Sequence, residues 1–178
     1  RGTLHLLPAA GLPLYVAARA AQTLRRPPSY YTYHGVTPEE YAAIQEAVPE
    51  VLGATPLTRE HLAEAVAERT GLPHLRDVLL SGWGALLKPA AFAGALCFGP
   101  SQGQNVTFVR PDRWLRTPPV EPPVEPPVEP QGAWQAMARR YPAAYGPATP
   151  EDFARWWGVD AGPAKKLFRS LGAELAAV

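Results

Sequence analysis

The fold is decided by the stretch ALCFGPSQGQNVTFV, residues 95–109. Two short strand candidates, ALCF at residues 95–98 and NVTFV at residues 105–109, flank the turn-rich segment GPSQGQ. This pattern predicts two strands joined as a β-hairpin. Three helical segments precede the hairpin, and that order is the order of a winged helix, a helix-turn-helix variant whose third helix can enter the major groove of DNA.

The first of these helices is predicted in GVTPEEYAAIQEAVPEVL. Thr37 can cap this helix, Pro38 suits its first position, and Glu40 completes a capping box. Pro49 lies near its end and is expected to kink or end it. The local sequence therefore fixes the start of the helix better than its last turn.

The two following helical segments are bounded by threonine, glycine and proline. PLTREHLAEAVAERTG predicts a second helix that is capped by Thr58 and closed by Gly71. The stretch LPHLRDVLLSGWGALLKPAAFAG has a helical pattern that is interrupted at Gly82, Gly84 and Pro89. We therefore expect the third helix to be broken into pieces.

A proline-rich stretch, PPVEPPVEPPVEP, separates this unit from the rest of the chain. Proline at this density predicts a polyproline II spacer, so we assign residues 118–132 to a linker. The pattern then restarts with helices in WQAMARRYPAAYG, ATPEDFARWWG and GPAKKLFRSLG, and AELAAV is expected to begin a strand. This predicts one winged helix over residues 36–117 and another over 133–178 that is truncated in its wing.

The two units share an internal repeat. PLTREHLAEAV and PATPEDFARWW both have the pattern Pro-x-Thr-x-Glu-x-[Leu/Phe]-Ala, and FAGALCF and SLGAELAAV both pass from a helix through glycine into an apolar run. RGTLHLL, at the start of the chain, has the same exit pattern, with Gly2 ending a lost third helix and TLHLL forming the wing strand. Residues 1–35 are therefore predicted to be the tail of a first winged helix plus a connecting helix over about 12–24. The expected fold is mainly α with small β-hairpins, in tandem winged helices cut from a longer protein.

Composition excludes several function classes. No apolar run approaches the roughly 20 residues that span a bilayer, and nothing resembles a signal peptide. Cys97 is the only cysteine, so an internal disulfide is impossible, and we expect it to pack in an apolar run. The four histidines have no metal-ligand spacing, and no phosphate loop or dinucleotide fingerprint is present. We predict no metal, no small-molecule cofactor and no membrane partner, in a cytoplasmic protein.

The net charge is +1, but the acidic and basic residues are unevenly distributed along the chain. Residues 27–70 carry seven acids and two bases, whereas residues 71–116 carry five bases and two acids. This is either an ordinary mixed surface or a local basic face that suits a polyanion. On the last predicted helix, Lys165 and Arg169 stand at i and i+4, hence on one side. Arg113 either contacts phosphate or pairs with Asp112. The predicted DNA-binding residues are Lys88, Gln102, Gln104, Arg110, Arg113, Lys165, Lys166 and Arg169.

Several stretches together resemble the winged-helix DNA-binding proteins that include the AlkZ-like DNA glycosylases. They are RGTLHLLPA, LTREHLAEAV, LLKPAAFAGALCFGP, VTFVRPDRWL and RRYPAAYGPATPEDFARWWG, and they cover most of the chain outside the linker. The resemblance implies three tandem winged helices followed by a β-rich domain. It also implies that the parent protein binds duplex DNA, with damaged duplex as its substrate, and cleaves the N-glycosidic bond of alkylated bases.

The catalytic motif of that family, Gln-x-Gln or Gln-x-Asp with a hydrophobic middle residue, lies upstream of the part matched by this chain. Gln102-Gly103-Gln104 has glycine in the middle, so no catalytic role is transferred to it. Thr3 and His5 share one face of the predicted first strand and are candidates for the border of the active site. We expect this chain alone to be inactive. The alternatives are a non-enzymatic winged-helix regulator and a protein-interaction module.

Overall fold

The computed structural model describes residues 6–22, 26–81, 84–115 and 129–175. They form two units. The discontinuous unit comprises residues 6–22 and 129–175, and the continuous unit comprises the rest. In chain order, the elements are α1 (Leu12–Ala20), α2 (Pro28–His34), α3 (Pro38–Val51), β1 (Leu57–Thr58), α4 (Arg59–Thr70), α5 (Leu75–Leu80), α6 (Lys88–Phe92), β2 (Cys97–Gln102), β3 (Asn105–Val109), α7 (Pro111–Trp114), α8 (Pro130–Tyr145), α9 (Pro150–Trp157) and α10 (Ala161–Leu171). The predicted class, mainly helical with a small antiparallel sheet, is confirmed.

The start of α3 is the predicted capping box. The Glu40 backbone N–H donates to Thr37 Oγ1 at 3.1 Å, and the Thr37 N–H donates to Glu40 Oε2 at 2.8 Å. Pro49 does not end the helix, which continues to Val51. The helix survives because Pro49 lies in its last turn, where the Leu52 N–H still donates to the Val48 carbonyl at 3.1 Å.

The other helices of the continuous unit follow the sequence signals closely. Thr58 caps α4, and Gly71 closes it in the left-handed conformation with φ of 69°. The broken third helix is present as α5 and α6. Pro89 was predicted to interrupt a helix but lies in the first turn of α6, where its missing N–H costs no hydrogen bond. Gly82 lies outside the described residues. The helices enclose a core that includes Ile44, Leu52, Leu62, Val66, Leu75 and Phe108.

The predicted hairpin is confirmed. β2 pairs with β3 in antiparallel register, with Cys97 opposite Val109 and Phe98 opposite Phe108. β1, which the sequence analysis did not predict, pairs with the other edge of β3 and gives a sheet of order β1-β3-β2. It consists of two residues directly before α4, too few for a periodic signal.

Gly99 lies in β2 where no side chain fits. A Cβ at this position would lie 2.7 Å from Thr107 Oγ1 and 3.0 Å from Val109 Cγ1. We expect Gly99→Ala to lower the free energy of unfolding by about 1–3 kcal/mol, because both neighbours are buried and must shift. Chemical denaturation measures this effect. Gly132→Ala in α8 is the matched control, since nothing lies within 4 Å of its Cβ position, and it should be neutral or stabilise by about 0.5–1 kcal/mol.

The discontinuous unit is a bundle of α1 with α8, α9 and α10. Thr149 begins α9 with a second capping box, in which the Asp152 N–H donates to Thr149 Oγ1 at 3.1 Å. The helix predicted over residues 12–24 is confirmed as α1, although it ends at Ala20. It packs against α8 with Ala18 fully buried, and Tyr15 stacks on Trp157 at 6.4 Å between ring centroids. The buried core consists of Ala18, Ala133, Trp134, Met137, Ala138, Tyr141, Phe153, Ala154, Trp157, Ala164, Leu167 and Leu171.

Two strand predictions at the ends of the described chain are wrong for the residues that can be assessed. AELAAV was expected to begin a strand, but Gly172–Glu174 forms a 3-10 turn, because the Leu175 N–H bonds locally to the Gly172 carbonyl at 3.2 Å. Leu6 and Leu7 were expected to lie in the wing strand TLHLL, but neither is in a strand, and Leu6 is fully exposed. Residues 1–5 and 176–178, which complete these two segments, lie outside the described residues.

None of the helices in the described ranges is long and apolar enough to cross a membrane. The predicted domain boundaries, with the linker at 118–132 and three tandem winged helices, remain predictions.

Candidate nucleic-acid interface

Helix α10 separates an apolar side from a basic side. Ala164, Leu167 and Leu171 are buried in the core of the discontinuous unit. The opposite side carries no acidic side chain, and its three cations, all exposed, are Lys165, Lys166 and Arg169. The predicted basic face is therefore present as a surface of one helix.

The three cations of α10 differ in their partners. Lys165 Nζ pairs with Glu151 Oε1 of α9 at 2.8 Å. This hydrogen bond lowers the pKa of Glu151 below its ordinary value. Lys166 and Arg169 form no ion pair with any residue that the structure describes. Their charge is available to a polyanion, whereas that of Lys165 is partly neutralised.

Helix α8 adds one candidate that the sequence analysis missed. Arg139 Nε bonds to Glu174 Oε2 at 2.7 Å, an interaction that raises the pKa of Arg139 and lowers the pKa of Glu174. The neighbouring Arg140 is exposed and has no acidic partner in the described ranges. The signal in the sequence was the pair of adjacent arginines, Arg139 and Arg140.

In the continuous unit, the predicted basic residues have unequal roles. Arg110 is partly buried, with its Nε 2.8 Å from Asp112 Oδ1 and its terminal nitrogen donating to the Pro49 carbonyl at 2.7 Å. It fastens the end of β3 to the end of α3. The alternative pairing of Asp112 with Arg113 is wrong, because Asp112 instead pairs with Arg110. Arg113 is exposed, and Lys88 is partly buried at the start of α6.

The helices that would meet DNA in a helix-turn-helix carry little positive charge in this unit. On α5, the only cation is Arg76, which pairs with Asp77 at 3.1 Å. On α4, an exposed row of acids at i, i+4 and i+8 consists of Glu60, Glu64 and Glu68. Such a row repels phosphate. By contrast, α10 of the discontinuous unit carries three exposed cations and no acidic side chain.

Gln102 and Gln104 are both exposed at the tip of the β2–β3 hairpin, as predicted. Thr3 and His5, which were predicted to border the active site, lie outside the described residues. Cys97 is partly buried, and burial raises the pKa of its thiol, in keeping with a packing role. No three His, Cys, Asp or Glu side chains converge in the part of the chain that the structure describes.

Comparison with known proteins places these features in a family. The sequence matches the family described as DNA glycosylase AlkZ-like over residues 1–178, the whole chain. The chain belongs to the AlkZ-like DNA glycosylase family. Among curated members, it is 34% identical to an interstrand DNA cross-link repair glycosylase from Streptomyces sahachiroi, with 100% of this chain covered.

A solved member of the AlkZ-like family has the same fold. The DNA glycosylase AlkZ of Streptomyces sahachiroi aligns with 97% of this chain at a TM-score of 0.76 and 35% identity. The chain spans 47% of the length of the curated relative and 46% of that solved chain. The recognised resemblance is therefore confirmed, for a chain that corresponds to about half of its relatives.

Proposed function

We propose that this chain is a duplex-binding part of a DNA glycosylase that acts in the repair of damaged bases. The observation that carries the proposal is the row of exposed cations on α10, in a chain that belongs to the AlkZ-like family. A helix that is apolar on one side and cationic on the other, with no acid on its exposed side, matches the charge of a phosphate backbone. We place the protein in the cytoplasm, at the nucleoid, because that is where a DNA-repair protein meets duplex DNA.

Cations of both units are proposed as phosphate ligands. Lys166 and Arg169 are the central phosphate ligands, because they lie together on α10 and neither has a described acidic partner; exposed Arg140 of α8 is a further candidate. Lys165 joins them by exchanging Glu151 for a phosphate, at small cost because both side chains of this pair are about half exposed. In the continuous unit, Arg113 and Lys88 supply further contacts. These interactions position the duplex without reading its sequence.

Cleavage of the N-glycosidic bond is proposed for the whole protein. The reaction needs groups that position water and stabilise charge at the sugar. The resemblance places the family's catalytic motif upstream of the part matched by this chain, so we assign no step of the cleavage to the described residues. In this proposal, the chain binds the duplex while a catalytic centre cleaves the bond. Thr3 and His5 remain the predicted border of that centre. Three tandem winged helices, the repeat predicted from the sequence, are the proposed framework.

The dependence of duplex affinity on salt tests this proposal. Fluorescence anisotropy of a labelled duplex, titrated with the chain between about 50 and 200 mM salt, gives the slope of log Kobs against log salt. With three to four phosphate contacts, we expect a slope of about −3, at about −0.9 per contact. An affinity that does not change with salt, or no duplex binding even at the lowest salt, would contradict the proposal.

A further inference from the structure

The β2–β3 hairpin ends in an exposed tip whose backbone is held in a defined shape. Gln102 and Asn105 are register partners, and Gly103 in the turn between them has φ of 61°. The positive φ is the conformation that two-residue hairpin turns require. At the base of the tip, the buried Thr107 hydroxyl donates to the Pro100 carbonyl at 2.7 Å. The tip side chains therefore project from an ordered support.

The hairpin has no charged side chain. Between Cys97 and Val109 there is no Asp, Glu, Lys, Arg or His. Binding to phosphates with release of counterions depends on Lys and Arg, so the hairpin adds nothing to that electrostatic attraction. The tip instead offers three exposed carboxamides, each with an NH₂ group that donates two hydrogen bonds: Gln102, Gln104 and Asn105.

An apolar flank lies next to these carboxamides. Phe98 and Phe108 face each other across the hairpin, with ring centroids 5.2 Å apart, and Val106 shares their face because it lies two residues before Phe108. Phe98 and Val106 remain 48% and 49% exposed. Proteins that bind the minor groove read it with Arg, Lys, Asn and Gln and frequently add apolar side chains, and this tip has the amide and the apolar groups of that set.

We propose that the hairpin tip hydrogen-bonds to base edges in the minor groove of the duplex, through Gln102, Gln104 and Asn105. The acceptors are adenine N3 and thymine O2, which line the groove at A·T pairs. The oxygen of a carboxamide can accept from the amino group that guanine adds at this edge, but that group projects into the groove and takes up the room a side chain needs to reach the acceptors on its floor. The tip therefore favours stretches of the duplex without that amino group. This inference rests on the proposed duplex binding.

Two duplexes of one sequence test the inference. One contains guanine at a central group of positions and the other contains inosine, which lacks the minor-groove amine and keeps the same major-groove edge. Affinities are measured by anisotropy with the complete chain at low salt. We expect the wild-type chain to bind the inosine duplex at least about fivefold more tightly, the lower end of one base contact. Gln102→Ala/Gln104→Ala/Asn105→Ala should bind both duplexes within about twofold, with an unchanged salt slope.

Gln131→Ala/Gln135→Ala in α8 is the matched control and should keep the wild-type preference for inosine. Because the three tip side chains are exposed, the tip variant should also keep the wild-type midpoint of urea unfolding. Equal wild-type affinity for the two duplexes would overturn the inference, and so would an inosine preference that survives in the tip variant. A tip variant that binds both duplexes equally more weakly, but keeps the inosine preference, would assign the tip to the phosphate backbone instead. Failure of the wild-type chain to bind either duplex is a different result, which overturns the proposed function itself.

Discussion

Charge reversal of the two unpaired cations of α10, in Lys166→Glu/Arg169→Glu, is expected to weaken duplex binding between about tenfold and a hundredfold at low salt. Both residues are exposed and form no described ion pair, so each substitution removes an attraction and adds a repulsion. The slope of log Kobs against log salt should become shallower by about 2, corresponding to two lost contacts. Anisotropy titrations of the wild type and the variant over the same salt range measure both quantities.

The matched control is Arg69→Glu/Arg76→Glu in the continuous unit, which changes the net charge by the same amount. Arg69 pairs with Glu50 and Arg76 pairs with Asp77, so neither cation is offered to DNA. Loss of an exposed pair costs little stability. If this control weakened binding as much as the α10 variant does, the attraction would arise from total charge rather than from α10. Lys165→Glu should lie between the two, because Glu151 already holds its ammonium group.

Ala18→Asp is expected to unfold or strongly destabilise the discontinuous unit, by about 3 kcal/mol or more. Ala18 is fully buried where α1 packs on α8, so the substitution places a carboxylate in an apolar core. Three of the five tryptophans, Trp134, Trp156 and Trp157, belong to this unit. Their fluorescence during urea unfolding therefore measures the loss, and the midpoint should move to a lower urea concentration.

Ala20→Asp on the same helix is the control for this substitution. Ala20 is exposed, so its replacement should cost less than about 1 kcal/mol, mostly in helix propensity. Equal effects of the two substitutions would mean that α1 does not contribute to the core of the unit. A large effect of Ala18→Asp alone would establish α1 as an integral helix of it.

The features that sequence alone predicted are those that depend on neighbouring residues. Thr37 and Thr149 cap their helices through residues three positions later, and Gly71 closes α4 by its own backbone freedom. The β2–β3 hairpin also depends on nearby residues only. These signals are complete within a few residues, so no knowledge of the fold is needed to interpret them.

The features that the sequence did not reveal depend on distant residues. The helix at 12–24 was identified, but its packing on α8 joins segments more than a hundred residues apart. The predicted cations were correct as charges, yet their partners are set by tertiary structure. Glu151 comes from α9 to Lys165, and Asp112 bonds to Arg110 rather than to its neighbour Arg113. Side-chain chemistry identifies candidates for a binding face, and only the fold shows which of them are already engaged.

The packing of α1 on α8 has a consequence for the order of events during protein synthesis. About 110 residues separate the end of α1 from the start of α8, so at roughly 5–20 residues per second the ribosome makes α1 about 5–20 s before its partner. The continuous unit is completed during that interval and can fold first. Until α8 emerges, the apolar side of α1, with Leu14, Tyr15 and Ala18, has no surface to cover it. The nascent chain therefore passes through a stage in which the continuous unit is complete and the apolar side of α1 is still uncovered. Aggregation or chaperone binding is expected at that stage.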